Sequence, residues 1–254
     1  MSAGLSTLLR AADALPRPLT LFVRDDDAGW GDDTLLALLD VMAAASAPID
    51  LAVIPQALGD ALAHELAARH DAAPALLGLH QHGLAHANHE PEGRKSEFGA
   101  TRPAALQLRD LRQGQALLRE RLGARVDRIF TPPWNRIAST TPALLAEAGF
   151  ELLSRDSSAC RQQPQPCLRE RPVAVDWSRH HREGGLGAVA HALALALHEH
   201  AASGQPLGLM LHHAAMAAAE RAALARWMVA LVPHPRLWWQ PMRAVQAQAC
   251  GVPA

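Results

Sequence analysis

Cysteine is scarce in this chain, and nothing in the sequence points to an exported protein held together by disulfides. Three cysteines in 254 residues are too few for a disulfide framework. Cys160 and Cys167 flank a loop rich in proline and glutamine, and they could form a bridge in an oxidising compartment. We expect free thiols instead, because residues 1–18 lack the sustained apolar core of a signal peptide.

A surplus of either charge and a long apolar run are also missing. The formal net charge is −1 at pH 7, so there is no basic surplus that would favour nucleic-acid binding. No uninterrupted apolar run is long enough to span a membrane. These absences predict a soluble, cytoplasmic protein with no nucleic-acid or membrane partner, and they leave its oligomeric state open.

Short apolar segments recur along the chain. Hydrophobic residues make up 49% of the sequence, so the whole chain can be globular, and we expect residues 1–254 to form a single domain. Near-continuous apolar runs are typical of parallel strands that are covered by helices on both faces. Seven strands are predicted, at Leu19–Arg24, Asp50–Ile54, Leu76–His80, Arg128–Thr131, Phe150–Ser154, Pro172–Val175 and Leu207–Leu211.

Alanine- and leucine-rich segments between these strands predict helices. They are Asp32–Ala45, Leu58–Arg69, Arg102–Leu122, Thr141–Ala148, Leu186–Ala202 and Ala215–Leu231. The alternation indicates an α/β fold with a parallel sheet, and about seven strands favour a distorted (β/α) barrel over an open doubly wound sheet. The polar segments Asn88–Thr101 and Arg155–Arg171 are predicted to be loops over the mouth of the barrel.

The unusual polar clusters of the chain all follow predicted strands. In a (β/α) barrel, functional residues lie on the loops at the carboxyl ends of the strands. Because every cluster falls at that end, we favour a catalytic site over unrelated surface residues. The clusters are Asp25–Asp27, His80–His86, Pro132–Asn135, Asp176-Trp177 and His212-His213.

The acidic run Asp25–Asp27 indicates a positive partner nearby, since adjacent carboxylates repel one another and are costly where water is scarce. His82 and His86 are four residues apart and face one way in a helical turn. With one aspartate oxygen they would form a three-ligand metal site that leaves a position for water. Zinc suits this set, although cobalt, nickel, manganese and iron are not excluded. The alternative is a solvated acidic turn beside unrelated histidines.

A second aspartate beside the metal ligand would act as a base. A bound metal lowers the pKa of its water, and a neighbouring carboxylate can take the proton as the water attacks. His212, on the opposite side, could protonate the leaving group. The residues therefore predict a hydrolytic centre.

These residues resemble a known family, the polysaccharide deacetylases, which are NodB-homology esterases that remove acetyl groups from sugars. Five short motifs occur in the family order between Leu19 and His213. They are Arg24-Asp25-Asp26-Asp27-Ala28-Gly29, the pair His82 and His86, Phe130-Thr131-Pro132-Pro133-Trp134, Asp176-Trp177, and Leu209–Leu211 followed by His212.

The resemblance implies roles for the acidic run and the histidine pair. Asp26 corresponds to the catalytic base. The metal ligands would be Asp27, His82 and His86, and the metal a divalent cation, most naturally Zn²⁺. The register within the run stays open, because Asp25 could take one of the two aspartate roles.

The resemblance also implies a general acid and a substrate groove. His212 corresponds to the catalytic acid, and Asp176 belongs to the catalytic set. The two motif tryptophans could instead pack at the barrel rim, but we favour a groove in which aromatic faces stack on a sugar. The expected substrate-binding residues are Pro133, Trp134, Asn135 and Trp177.

One departure from the family pattern concerns the partner of the base. Thr131 stands where the family has an arginine that orients the base, so Asp176 lacks its usual partner. Arg24 precedes Asp26 by two residues and would face the same side of a strand. We hypothesise that Arg24, or as a less favoured alternative Arg136, supplies the positive charge.

The resemblance thus implies a metal-dependent hydrolase that removes acetyl or similar acyl groups by cleaving a carbon–nitrogen bond that is not a peptide bond. Its substrate would be an acetylated carbohydrate or a small amide. A small-molecule amidase of the same superfamily is one alternative. The other is a metal- or carbohydrate-binding protein whose catalysis was impaired with the loss of the motif arginine.

Overall fold

A curled parallel sheet organises the molecule, and the computed structural model describes residues 3–162 and 168–245. The strands are β1 (Leu19–Ala28), β2 (Ile49–Val53), β3 (Leu77–His82), β4 (Val126–Thr131), β5 (Leu152–Leu153), β6 (Arg169–Glu170), β7 (Val173–Asp176), β8 (Leu207–Leu211) and β9 (Leu237–Trp239).

The order of the strands matches a distorted barrel. Along the sheet it is β6, β5, β4, β3, β2, β1, β8 and β7, and β9 adds to the start of β1. All of these pairs are parallel. A bridge between Asp156 and Val173 joins the chain just beyond β5 to β7. The predicted α/β fold is therefore confirmed, and the carboxyl ends of the strands meet at one edge.

Helices cover the outside of the sheet. They are α1 (Ala3–Asp13), α2 (Asp32–Ala44), α3 (Asp60–Ala72), α4 (Ala104–Leu122), α5 (Thr141–Glu147), α6 (Ser157–Gln162), α7 (Trp177–Ser203) and α8 (Ala218–Leu231). The backbone of α7 breaks at Gly184-Gly185, where Gly185 has a φ of 64°. Across residues 3–162 and 168–245, no helix combines the length and apolarity that crossing a membrane requires.

Three parts of the predicted pattern are corrected by the structure. Residues 3–13 form a helix whose apolar side packs on α7, although no helix was predicted there. The predicted loop Arg155–Arg171 contains α6 and β6, and the strand β9 was not predicted. Strands of two or three residues are too short to show a hydrophobic period. Cys160 is a free thiol, as expected, and Cys167 lies outside the described residues.

The interior of the curled sheet is partly polar. A small apolar cluster, which includes Phe22, Ile129 and Met242, fills its amino-terminal part. Charged and polar side chains on β1, β2 and β3 lie buried within the fold, among them Arg24, Asp50 and His80. Because buried charges need partners, the interior is arranged around specific polar contacts rather than apolar packing alone.

Asp50 is a buried carboxyl group with one unsatisfied oxygen. Its Oδ2 accepts the backbone N–H of Met242 at 2.9 Å, and its Oδ1 has no hydrogen-bond partner among the described residues. Burial raises its pKa to about 7. The folded protein therefore keeps a proton that the unfolded chain releases near pH 4, and it loses stability as the pH rises from about 4 to about 7.

Asp50→Asn is expected to abolish this loss. As the pH rises from about 5 to about 8.5, the free energy of unfolding of the variant minus that of wild type should increase by about 1–3 kcal/mol. Urea unfolding at both pH values measures it. Asp33→Asn, which removes an exposed carboxylate on α2, serves as the control and should show no such gain. A difference between Asp50→Asn and wild type that is the same at both pH values would contradict the prediction.

Candidate active site

The three acids of the run Asp25–Asp27 lie at the end of β1 and have three different partners. Asp25 contacts His213, Asp26 contacts Arg24, and Asp27 contacts the two motif histidines. The first two side chains are fully buried or nearly so. The run is therefore a set of three separate interactions, and the acidic-surface alternative does not describe it.

Arg24 forms a bidentate ion pair with Asp26. Its Nε donates to Oδ1 at 2.8 Å and its Nη2 donates to Oδ2 at 2.9 Å, and both side chains are buried. Arg24 also donates to Ser154 Oγ and to Asn135 Oδ1, each at 2.8 Å. The predicted juxtaposition of Arg24 and Asp26 is confirmed. Arg136, the less favoured alternative, instead donates to the carbonyl of Lys95.

The ion pair keeps Asp26 ionised. Burial is the largest single influence and would raise the pKa of this carboxyl group, but the charges of Arg24, His82 and His212 together outweigh burial and lower it. A carboxylate held in its basic form by a fixed cation can accept a proton near neutral pH.

Asp27, His82 and His86 converge on one point. The Nε2 atoms of both histidines lie 3.2 Å from Asp27 Oδ1, and one ligand atom from each residue lies within 4.8 Å of the others. Ligands about 2.0–2.1 Å from a tetrahedral zinc ion are about 3.3 Å apart. This group could therefore hold a divalent metal ion, and its spacing fits that use.

Backbone contacts orient His82 for this role. Its Nδ1 donates to the carbonyl oxygen of Thr131 at 2.9 Å, which leaves Nε2 free to face Asp27. Thr131 Oγ1 also bonds His80 Nε2 at 2.8 Å. Burial, with the charge of Arg24, lowers the pKa of His80 to about 3, so this side chain stays neutral. His80 is thus a hydrogen-bond partner of Thr131, and Thr131 supports both histidines.

The turn between the two histidines is held by Glu97. This buried carboxylate accepts the backbone N–H of Ala85 at 2.8 Å and that of Leu84 at 3.3 Å. Gly83 has a φ of 61°, and a Cβ there would lie 2.0 Å from Glu97 Oε2 and 2.7 Å from Pro133 Cγ. Glycine is therefore required for the chain to leave β3 as it does.

Left-handed backbone is concentrated at this site. Among the residues that the structure describes, five that are not glycine have a positive φ, and four of them lie here. They are Asp27 at 73°, His86 at 55°, Trp134 at 55° and Asn135 at 58°. Non-glycine residues adopt this region at a cost that the surrounding structure must offset, and such residues cluster at functional sites.

His213 is a buried histidine that the sequence did not assign. Its Nδ1 lies 2.5 Å from Asp25 Oδ2, its Nε2 donates to the carbonyl of Trp30 at 2.6 Å, and its backbone N–H donates to Asp25 Oδ1. Burial lowers the pKa of His213, but the charge and hydrogen bond of Asp25 outweigh burial and raise it to about 9. The pair of Asp25 and His213 links the end of β8 to β1. In the sequence, the position of His213 beside His212 was the one sign that it belongs near the site.

His212 and Asp176 reach the same edge of the sheet. His212 is partly exposed. It lies close enough to Asp26 to help lower the pKa of that carboxyl group. Its Nδ1 has no hydrogen-bond partner within the described parts of the chain. The Asp176 carboxylate instead accepts the backbone N–H of Arg179 at 3.0 Å and caps α7. Its catalytic role stays a prediction.

The predicted substrate-binding residues divide into two groups. The partly exposed Trp134 lies beside His86, with ring centroids 4.3 Å apart, and Asn135 is also partly exposed. Trp177 is fully buried, donates to Glu220 at 3.0 Å and packs on Trp227, so the prediction that it binds substrate is wrong. Its motif position placed it at the start of a helix whose inner side faces the core.

Pro133 is buried as well. It packs beneath the turn of His82–His86, where a Cβ on Gly83 would meet its ring. Its predicted contact with substrate is therefore corrected to a supporting role under Trp134. Asn135 and Trp134 remain the members of the predicted group with surface available to a ligand.

Comparisons with known proteins establish the fold. No protein-family profile matches the sequence, and no characterised protein matches it significantly. Similar solved structures include a predicted polysaccharide deacetylase from Mycobacterium smegmatis, at 17% identity and a TM-score of 0.64, covering 90% of this chain and 89% of that one. A family 4 carbohydrate esterase from Streptomyces lividans in complex with acetate has 16% identity and a TM-score of 0.59, covering 87% and 92%.

A third structure with this fold is a family 4 pseudoenzyme from Bacillus anthracis. It has 10% identity and a TM-score of 0.52, and the match covers 85% of this chain and 61% of that one. At such identities the similarity concerns the fold alone. The chain therefore has the fold of the polysaccharide deacetylases, as the sequence motifs implied.

Proposed function

We propose that this protein is a metal-dependent hydrolase that removes acetyl or similar acyl groups from an N-acetylated sugar or a related amide. One observation carries the proposal: the Asp27, His82 and His86 cluster lies directly beside a carboxylate that a buried arginine keeps ionised. We further propose Zn²⁺ as the metal, since two imidazoles and one carboxylate suit it. A cytoplasmic location stays a prediction from the sequence.

The residues around the cluster can divide the work of hydrolysis. A bound divalent cation supplies Lewis acidity, which favours deprotonation of water and polarises a carbonyl. Asp26 accepts the proton from the attacking water, because Arg24 keeps it ionised. His212 donates a proton to the departing nitrogen, and its partly exposed ring suits exchange with solvent. Trp134 covers the side of the cluster next to His86.

The solved structures support this reading through their chemistry. The Streptomyces lividans enzyme is a carbohydrate esterase with acetate bound, and acetate is the product that our proposal expects. A small-molecule amidase would cleave the same kind of carbon–nitrogen bond. The fold does not distinguish the two, so the choice of an acetylated sugar as the substrate belongs to our proposal.

A binding protein without catalysis is the competing function. The pseudoenzyme from Bacillus anthracis shows that this fold occurs without activity, and Thr131 replaces the arginine of the family motif. The bidentate pair of Arg24 with Asp26 argues against this alternative, because it restores a cation beside the base.

Metal content and acetate release together test the proposal. Purified protein is expected to contain about one divalent metal ion per chain and to release acetate from N-acetylated sugars or small N-acetyl amides. Chelation should remove both properties, and Zn²⁺ or Co²⁺ should restore them. His89 is an exposed histidine three residues after His86. As a control, His89→Gln should keep both the bound metal and the release of acetate. Bound metal without turnover of any amide or ester would favour the binding protein.

A further inference from the structure

A cavity of about 460 Å³ opens beside the candidate active site. Trp134, Asn135 and Met210 form the wall that it shares with the site. Trp134 contacts His86, and Asn135 accepts a hydrogen bond from Arg24. A molecule whose acyl group reaches the metal cluster would therefore place its remaining part in this cavity, which has the volume of a small-ligand pocket.

Four arginines line the rest of this cavity, which we call the arginine cavity. Arg155 pairs with Glu170 at 2.5 Å. Within residues 3–162 and 168–245, no carboxylate forms an ion pair with Arg94, Arg136 or Arg179. The whole chain has a net charge of −1, so this concentration of unpaired cations is a local feature.

The two aspartates of the cavity wall are committed to the backbone. Asp156 Oδ1 accepts the backbone N–H of Ser158 at 2.8 Å, and Asp176 Oδ1 accepts that of Arg179 at 3.0 Å. Each carboxylate thus accepts a backbone N–H at the start of a helix, α6 for Asp156 and α7 for Asp176, rather than an N–H of an arginine. Neither carboxylate therefore occupies the head group of Arg94, Arg136 or Arg179, and the hydrogen bonds of the last two head groups within residues 3–162 and 168–245 are with the carbonyl of Lys95 and the ring of His180.

Arg136 has a buried N–H group without a hydrogen-bond acceptor among the described residues. Its Nη1 donates to the carbonyl of Lys95 at 2.9 Å, while its Nε is buried without a hydrogen-bond partner among the described residues. Burial and the nearby charge of Arg94 lower the pKa of Arg136. Two arginines that line one cavity, one of them with a buried unsatisfied donor, are the kind of arrangement that binds an anion.

We infer that the arginine cavity binds an anionic group, a phosphate or a carboxylate, on the acylated substrate. The substrate would then be an N-acyl sugar or amide that carries a negative charge close to its acyl group. This inference rests on the proposed function and deepens it. Arg94, Arg136 and Arg179 act as specificity-determining residues, because guanidinium groups bind phosphate and carboxylate oxygens in pairs.

Three acetylated sugars test the inference. N-acetylglucosamine is neutral, N-acetylglucosamine 6-phosphate carries a phosphate, and N-acetylmuramic acid carries a carboxylate. We expect kcat/KM to be at least about tenfold higher for one or both anionic sugars, since charge-assisted hydrogen bonds are the strong ones. Faster turnover of one anion than of the other identifies which group the cavity accepts.

Variants separate the cavity from general electrostatics. Arg136→Gln, alone and with Arg94→Gln, should lower kcat/KM for the preferred anionic sugar about tenfold more than kcat/KM for neutral N-acetylglucosamine. Arg128→Gln, an exposed arginine on β4 that pairs with Glu151, is the matched control and should not alter the preference. Circular dichroism verifies that each variant is folded.

Binding measurements separate this inference from the proposed function. Calorimetry with the same three sugars uses wild type and Arg136→Gln, and it needs no turnover. Charge-dependent binding without hydrolysis would keep the inference and overturn the proposed hydrolase. Hydrolysis of all three sugars at equal kcat/KM, unaffected by Arg136→Gln, would overturn the inference and keep the hydrolase. Neither turnover nor charge-dependent binding would overturn both.

Discussion

Asp26→Asn is expected to lower kcat roughly 10²–10⁴-fold while the protein keeps its metal. Asparagine has nearly the same shape as aspartate and can still accept a hydrogen bond from Arg24, but it cannot take a proton from water. The loss should therefore appear in kcat with little change in KM. Steady-state kinetics and elemental analysis of the same preparation measure both quantities.

Asp27→Asn is the contrasting variant within the same acidic run. It weakens the ligand set, so metal content should fall after dialysis, and activity should return partly when metal is added in excess. Loss of metal from Asp26→Asn together with normal metal in Asp27→Asn would reverse the two assignments. This pair of variants thus resolves the register that the motif alone leaves open between neighbouring aspartates.

Arg24→Met is expected to damage both stability and catalysis. It leaves the Asp26 carboxylate buried without its cation, and breaking a buried pair in this way costs about 3–5 kcal/mol. The pKa of Asp26 should rise, because burial then acts without the opposing charge of Arg24. The acidic limb of the pH–rate profile should accordingly move to higher pH.

The pH dependence of stability has a defined sign in this variant. In wild type, the lowered pKa of Asp26 contributes stability that is present above the unfolded pKa near 4 and is lost as the pH falls through the folded value. The deficit of Arg24→Met should therefore be large at neutral pH and shrink in acid. Urea unfolding across this range measures it.

Arg24→Lys provides the control for this effect. It keeps the charge but replaces the two-pronged contact with a single ammonium group, so the acidic limb should move less than in Arg24→Met. A pH–rate profile that stays in place in both variants, with unchanged metal content, would show that Arg24 does not tune the base. The hypothesis that Arg24 takes over from the missing motif arginine would then fail.

Much of the fold was predictable from the sequence because parallel strands that are buried on both faces appear as apolar runs. The prediction for Leu207–Leu211 coincides with β8, and the polar clusters lie at the carboxyl ends of strands, although Asp25–Asp27, His80, His82 and Asp176 belong to the last residues of the strands themselves. Two short strands, β6 and β9, were not predicted. The two-residue strand β6 depends on its neighbour β5, and no local pattern of two residues can announce it.

Only some of the pairings in the candidate site could be predicted from the sequence. Strand alternation places Arg24 and Asp26 on the same side, and their contact was expected on that ground. The contact of Asp25 with His213 joins residues 188 positions apart, and only the register of β1 against β8 creates it. Trp177 shows the opposite error, because a motif position does not reveal which side of a helix faces the core.

The left-handed residues at the site place a limit on how the protein can be made more heat-resistant. Each one costs on the order of 1 kcal/mol or more, and a typical domain has only about 5–15 kcal/mol of net stability. Selection for thermal tolerance alone would favour glycine at Asp27, His86, Trp134 and Asn135. Those replacements would remove two candidate metal ligands and the Trp134 side chain, so the proposed function and thermostability would compete at the same four positions.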